Sequence, residues 1–141
     1  MKRTLGLILV AVLAAAAALA ALDVYDSVTV KTLRTPLAAT GTTTNTAVDV
    51  YDAKGICNLI VTHGPRTAGA ATFSNVVTLQ TSTASGGTYS TVTAITNATT
   101  GGTGTVATAK IDAASLKRYV RVVMANGTNT AANSVLLLYS K

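Results

Sequence analysis

The stretch LKRYVRVVMANGTNTAANSVLLLY, residues 116–139, decides how the rest of the chain is read. Its first half alternates: Val120, Val122 and Met124 fall on one face of an extended chain, Tyr119, Arg121 and Val123 on the other. Its second half is apolar on both faces, with Val135, Leu137 and Tyr139 on one and Leu136 and Leu138 on the other. A strand without a wet side belongs inside a stack, covered by a second sheet or by another subunit. Between the two runs, Asn126-Gly127 supplies the positive φ angles of a tight turn, which predicts that they form a central β-hairpin.

Working outward, strands are predicted from Asp23 to Leu33, ended by Pro36, then over Thr46–Tyr51, Ile56–Thr62, Phe73–Ser82, Thr88–Ile95 and Thr105–Ile111. Val24, Asp26, Val28 and Val30 fall on one side of the first of these. Residues 63–69 (HGPRTAG) and 97–104 (NATTGGTG) read as loops, Ala84–Gly87 as a hairpin turn, and Asp112 as the cap of one helical turn. About eight short strands separated by turn-rich gaps predict an all-β domain, a β-sandwich or jelly roll, over residues 23–141. Composition agrees. Thr, Ala, Val and Gly dominate, Glu is absent, and the helix-favouring charged residues are scarce.

Residues 1–22 form a separate N-terminal segment. Lys2 and Arg3 precede an unbroken apolar run from Leu5 to Leu22. As a helix this run would be about 27 Å long, just short of the ~30 Å hydrocarbon core. Its nine Leu, Ile and Val residues favour insertion by about 3–5 kcal/mol, enough to permit membrane residence without compelling it. Three readings fit: a signal peptide with Ala18-Leu19-Ala20 as its cleavage site, a retained membrane anchor, or an apolar helix buried against partner subunits.

Chemistry is sparsely represented. His63 is the only histidine and has no Cys or second His spaced to share a metal. The tetrapeptide DVYD occurs at 23–26 and 49–52, but neither copy sits in a glycine-containing calcium loop, so both read as strand edges. Residues 97–104 lack the Gly-Lys-Ser/Thr ending of a phosphate loop. Cys57 alternates with Leu59 and Val61 and reads as a core residue; a lone cysteine makes no internal disulfide. No catalytic, metal-binding or cofactor-binding residue is assigned, and the chain is not expected to be an enzyme. The net charge is +6, scattered except at Lys117, Arg118 and Arg121, so specific nucleic-acid binding is not expected.

The order TAVDV (46–50), Phe73 with VTLQTS (77–82), GTYSTV (87–92), KRYVRVV (117–123), a Gly-Thr turn and a last apolar strand resembles small structural proteins encoded in tailed-phage and prophage morphogenesis regions. Those are head decoration or minor virion proteins. The resemblance covers Asp23 to Lys141 and leaves the N-terminal segment outside it. It implies a β-sandwich that sits on a capsid lattice and clamps neighbouring subunits, with no catalytic residues to carry over. On that expectation the protein is a virion component. Its partners are the major capsid protein, other virion subunits or further copies of itself. The contact residues are Leu5, Leu7, Ile8, Leu9, Val10 and Val12 of the apolar arm and the basic Lys117, Arg118 and Arg121. A membrane is a further partner open to residues 5–22. The alternative is an exported bacterial surface or adhesin-like β-domain, on the cell surface or in the periplasm, with its leader removed.

Overall fold

A computed structural model describes residues 28–38, 40–68, 72–100, 104–126 and 130–141. The apolar N-terminal segment and the first DVYD copy lie outside these residues. Nine strands are described: β1 Val28–Ala38, β2 Thr42–Thr44, β3 Val48–Asp49, β4 Lys54–Ala68, β5 Thr72–Ser82, β6 Ser90–Thr100, β7 Thr105–Asp112, β8 Tyr119–Ala125 and β9 Thr130–Ser140. They form two antiparallel sheets. One has the order β1-β9-β4-β7; the other has the order β2-β8-β5-β6, with β3 also pairing β8. The domain is the all-β sandwich that the alternating, Thr- and Val-rich runs predict.

The core lies between the sheets and follows from strand periodicity. Every second residue of β4 (Cys57, Leu59, Val61) and of β9 (Val135, Leu137, Tyr139) points inward from one sheet. Val77 and Leu79 of β5 and Val120, Val122 and Met124 of β8 meet them from the other. Removing a Val or Leu side chain of this size from water contributes about 1.5–3 kcal/mol, so these few positions dominate the stability.

The alternation read in β8 is the one observed, but the central hairpin is not. β8 is flanked by β2 and β5, whereas β9 lies between β1 and β4 in the opposite sheet. Both runs are central, each in its own layer, and the connection crosses from one sheet to the other. Asn126 is buried at that crossing rather than displayed on a turn: its backbone N–H donates to Gly41 O at 3.0 Å and its side-chain oxygen accepts from Asn133.

Four further boundaries differ from expectation. Pro36 does not end β1, because it falls within a register shift between Arg34 and Leu37 on an edge strand, where a missing N–H is tolerated. Residues 63–68 continue β4 instead of looping out. There Gly64 lies against β9 so closely that a Cβ would sit 2.6 Å from the carbonyl oxygen of Ala132, so glycine is needed for pairing and not for a turn. Residues 97–100 likewise extend β6. The short predicted strand at Thr46–Tyr51 shrinks to the two residues of β3. The Ala84–Gly87 hairpin and the Asp112 cap are found where expected: Gly87 N donates to Ala84 O, and Asp112 accepts from Ala114 N at the head of a 3-10 turn, Ala113–Ser115.

Candidate functional site

The basic residues come first. Thr81 Oγ1 accepts from the backbone N–H of Lys117 at 2.6 Å and donates to the carbonyl of Tyr119 at 3.2 Å, which fixes the chain as it enters β8. Lys117 and Arg118 are exposed there. Arg118 Nε donates to Asp49 Oδ2 at 3.0 Å, and its guanidinium lies 5.2 Å from the Tyr119 ring and 5.9 Å from that of Tyr51. The hydrogen bond and charge of Asp49 raise the pKa of Arg118. Tyr51, Lys117 and Arg118, together with Val50, Ala53, Ala113 and Leu116, line a shallow hollow of about 180 Å³. Arg121 is placed elsewhere. It projects from β8 onto the outer face of its sheet, stacked 4.0 Å over the Tyr89 ring and donating through Nε to Gln80 Oε1 at 2.9 Å. The three cations therefore do not form one patch, and both arginines are engaged by neighbours in the chain.

The residues singled out as possible chemistry are engaged by neighbours in the chain. Asp49 also caps a turn by accepting from Tyr51 N. Asp52 accepts from the Tyr139 hydroxyl at 2.8 Å and lies 3.6 Å from Lys141 Nζ. The Tyr139 hydrogen bond lowers the Asp52 carboxyl, while burial and the same carboxylate push the Tyr139 phenol upward. Cys57 is fully buried and its thiol is pushed up by burial.

His63 is not at a strand end in solvent. It is 1% exposed, between the sheets. His63 Nδ1 lies 2.9 Å from Asn133 Oδ1 and 3.0 Å from Asn75 Nδ2: protonated, it donates to the first; bare, it accepts from the second. Asn133 in turn donates to Met124 Sδ and to Asn126. Among the described residues neither His63 Nε2 nor Asn75 Oδ1 has a hydrogen-bond partner. Burial lowers the His63 pKa, against a smaller upward pull from Asn133. Arg34 is also buried, donating to Thr43 Oγ1 at 2.8 Å and Asn45 Oδ1 at 3.0 Å across the sandwich.

The most unusual surface is the outer face of the β1-β9-β4-β7 sheet. Val28, Val30, Ile56 and Val106 are 53%, 55%, 57% and 64% exposed there. The register aligns Val30, Leu138 and Asn58 in one row across β1, β9 and β4, and Thr32, Leu136 and Ile60 in the next. Leu136, Leu138 and Ile60 are half-buried by their neighbours alone. A groove of about 320 Å³ runs along this face, lined by Val28, Ile56, Asn58, Leu138, Tyr139 and Ser140. The doubly apolar pattern of β9 signals part of this face. Val28 and Ile56 carry no such signal, because alternation alone does not say which face of a strand is inward.

No protein family matches the chain, and no curated protein does. Among solved structures the domain is similar to the PBSX exported protein XepA, with a TM-score of 0.52 and 16% identity over 79% of this chain and 36% of that one. It thus spans about a third of that protein. Weaker likenesses reach the infectious bursal disease virus Gt strain (TM-score 0.49, 14% identity, 79% of this chain and 31% of that one) and Broad Bean Stain Virus (0.46, 12%, 80% and 89%). At these identities the likeness is one of fold.

Proposed function

We propose that this protein is a virion structural component, a decoration or minor capsid protein that holds on to a capsid lattice. The observation that carries this reading is the apolar outer face of the β1-β9-β4-β7 sheet. An isolated domain has no use for Val28, Val30, Ile56, Leu136 and Leu138 on a surface the core does not need. The apolar arm, with Leu5, Leu7, Ile8, Leu9, Val10 and Val12, adds a second adhesive element. A lattice repeats its sites, so modest contacts made together bind strongly. Lys117, and Arg118 and Arg121 where their present partners release them, contribute orientation and association rate against acidic capsid surfaces more than affinity. The work is adhesion and not catalysis, a reading supported by the burial of His63 and the engagement of Asp49 and Asp52 by neighbours.

The test is intact-mass measurement on gradient-purified particles and on cell-envelope fractions from cells that make the protein. A full-length chain in the particles is expected. A mature chain beginning near Ala21, confined to the envelope fraction, would replace this reading with the exported surface domain that the basic-apolar leader pattern also fits.

A further inference from the structure

We infer that the outer face of β1, β9 and β4 is the docking site for the apolar segment Leu5–Leu22 of a neighbouring copy. This rests on the assembly reading above and names the partner of the exposed face.

Size and chemistry match. Three adjacent strands present a strip about 10 Å wide, and a helix is about 10–12 Å across. Both surfaces are aliphatic: Val30, Leu136, Leu138, Ile56 and Ile60 on the sheet, Leu, Ile, Val and Ala in the segment. The run from Leu5 to Leu22 contains no charge, and the charged side chains beside the groove on β7, Lys110 and Asp112, lie at its margin, paired in register with Asn58 and Ile56, and stay in water.

Connectivity selects a neighbour over the same chain. β1 begins at Val28, opposite Ser140, at the very end of the sheet. The five residues before it, Asp23 to Ser27, include no glycine or proline, and their alternation suits an extended chain. Extended, they lead about 17 Å beyond the sheet's end. A segment that follows this line would reach the face of the next domain and not its own. One arm and one face per copy either exchange reciprocally in a two-fold dimer or propagate head to tail into rings or arrays.

The full-length chain tests this by cysteine pairing, with Cys57 buried and out of the way. Ala14→Cys protein is mixed with Asn58→Cys protein, Asn58 being an exposed residue of the groove. Under mild oxidation, dimers that vanish with reductant are expected, and the doubly substituted chain should link between copies, as a closed dimer or a ladder. Adding Leu138→Asp to the Asn58→Cys chain should reduce the dimer at least tenfold, with folding checked by thermal denaturation. A doubly substituted chain that links only within itself would overturn the inference. So would failure of the mixture to pair, segment 5–22 being found in lipid vesicles with the face left open, or a purified chain lacking residues 1–22. If pairing fails while full-length chain is present in particles, this inference falls and the virion reading stands. If pairing succeeds but no particle contains the chain, the reverse holds.

Discussion

The two sheets share one core yet differ on their outer sides. Outward from β8 and β5 stand Tyr119, Arg121, Val123, Thr78 and Gln80, with Thr91 and Ala94 beside them on β6. Outward from β1, β9 and β4 stand Val28, Val30, Leu136, Leu138, Ile56 and Ile60, with Thr32, Asn58, Thr62, Ser134 and Ser140 around them. The inward positions of both are buried and mainly apolar, apart from the polar groups His63, Asn75, Asn133 and Arg34. Folding needs the inward set alone, and the β8–β5 sheet shows that a polar outer side is compatible with it. On the proposed reading, the more aliphatic outer side serves a contact outside the domain, in the way that subunit interfaces resemble cores cut open.

Adjacent residues of β9 offer the sharpest way to break this comparison. Leu137→Ala, inside, should cost about 2–5 kcal/mol in chemical denaturation. Leu136→Ala, one residue away and facing out, should cost under about 1 kcal/mol in dilute, dispersed protein. Equal losses would mean that the outer side is part of the fold after all. Next in size is self-association, followed by sedimentation. Leu136→Asp should weaken it at least tenfold, about 1.4 kcal/mol, whereas Thr78→Asp on the other sheet should leave it unchanged. An equal response from both would erase the distinction.

The division between the faces is half legible in the sequence. Alternation in β8 and the absence of a polar face in β9 are local properties of the chain, and they suffice to make both strands central. What periodicity does not contain is which sheet a strand joins. Asn126-Gly127 has hairpin chemistry, but the buried Asn126–Asn133–His63 chain ties that crossing to the opposite layer, and tertiary hydrogen bonds outweigh a turn preference. The same limit hides Gly64, whose role is room for Ala132, and His63, whose partners are 12 and 70 residues away. Of the candidate contacts, the arm residues lie outside the described structure, and of the basic cluster Arg118 precedes β8 and is held by Asp49, while Arg121 stands on the outer face of β8 over Tyr89.

His63 separates loss of the fold from loss of a face. Its neutral form is favoured by burial among Asn133 and Asn75, so its folded pKa lies below the unfolded value near 6.5. Above that value its contribution is fully present. As pH falls from about 6.5 toward the folded pKa, the unfolded chain takes up a proton that the native one refuses, and stability declines by at most about 1.4 kcal/mol per pH unit. His63→Gln should flatten this region of the profile in urea melts from pH 7 to pH 5. Because the ring sits between the sheets, acid should loosen both together. A pH response confined to self-association, with melts unchanged, would contradict the buried placement.

The smallest expected effect belongs to Arg121→Ala. The residue loses a stack over Tyr89 and a hydrogen bond to Gln80 on a half-buried surface, together about 1 kcal/mol or less. Denaturation should register that loss while sedimentation stays as in the unaltered chain, since the polar side contributes little affinity between copies. A collapse of self-association as deep as that of Leu136→Asp would move the interface onto the β8 sheet. Val28, Val30 and Ile56 would then be exposed for no reason the structure supplies.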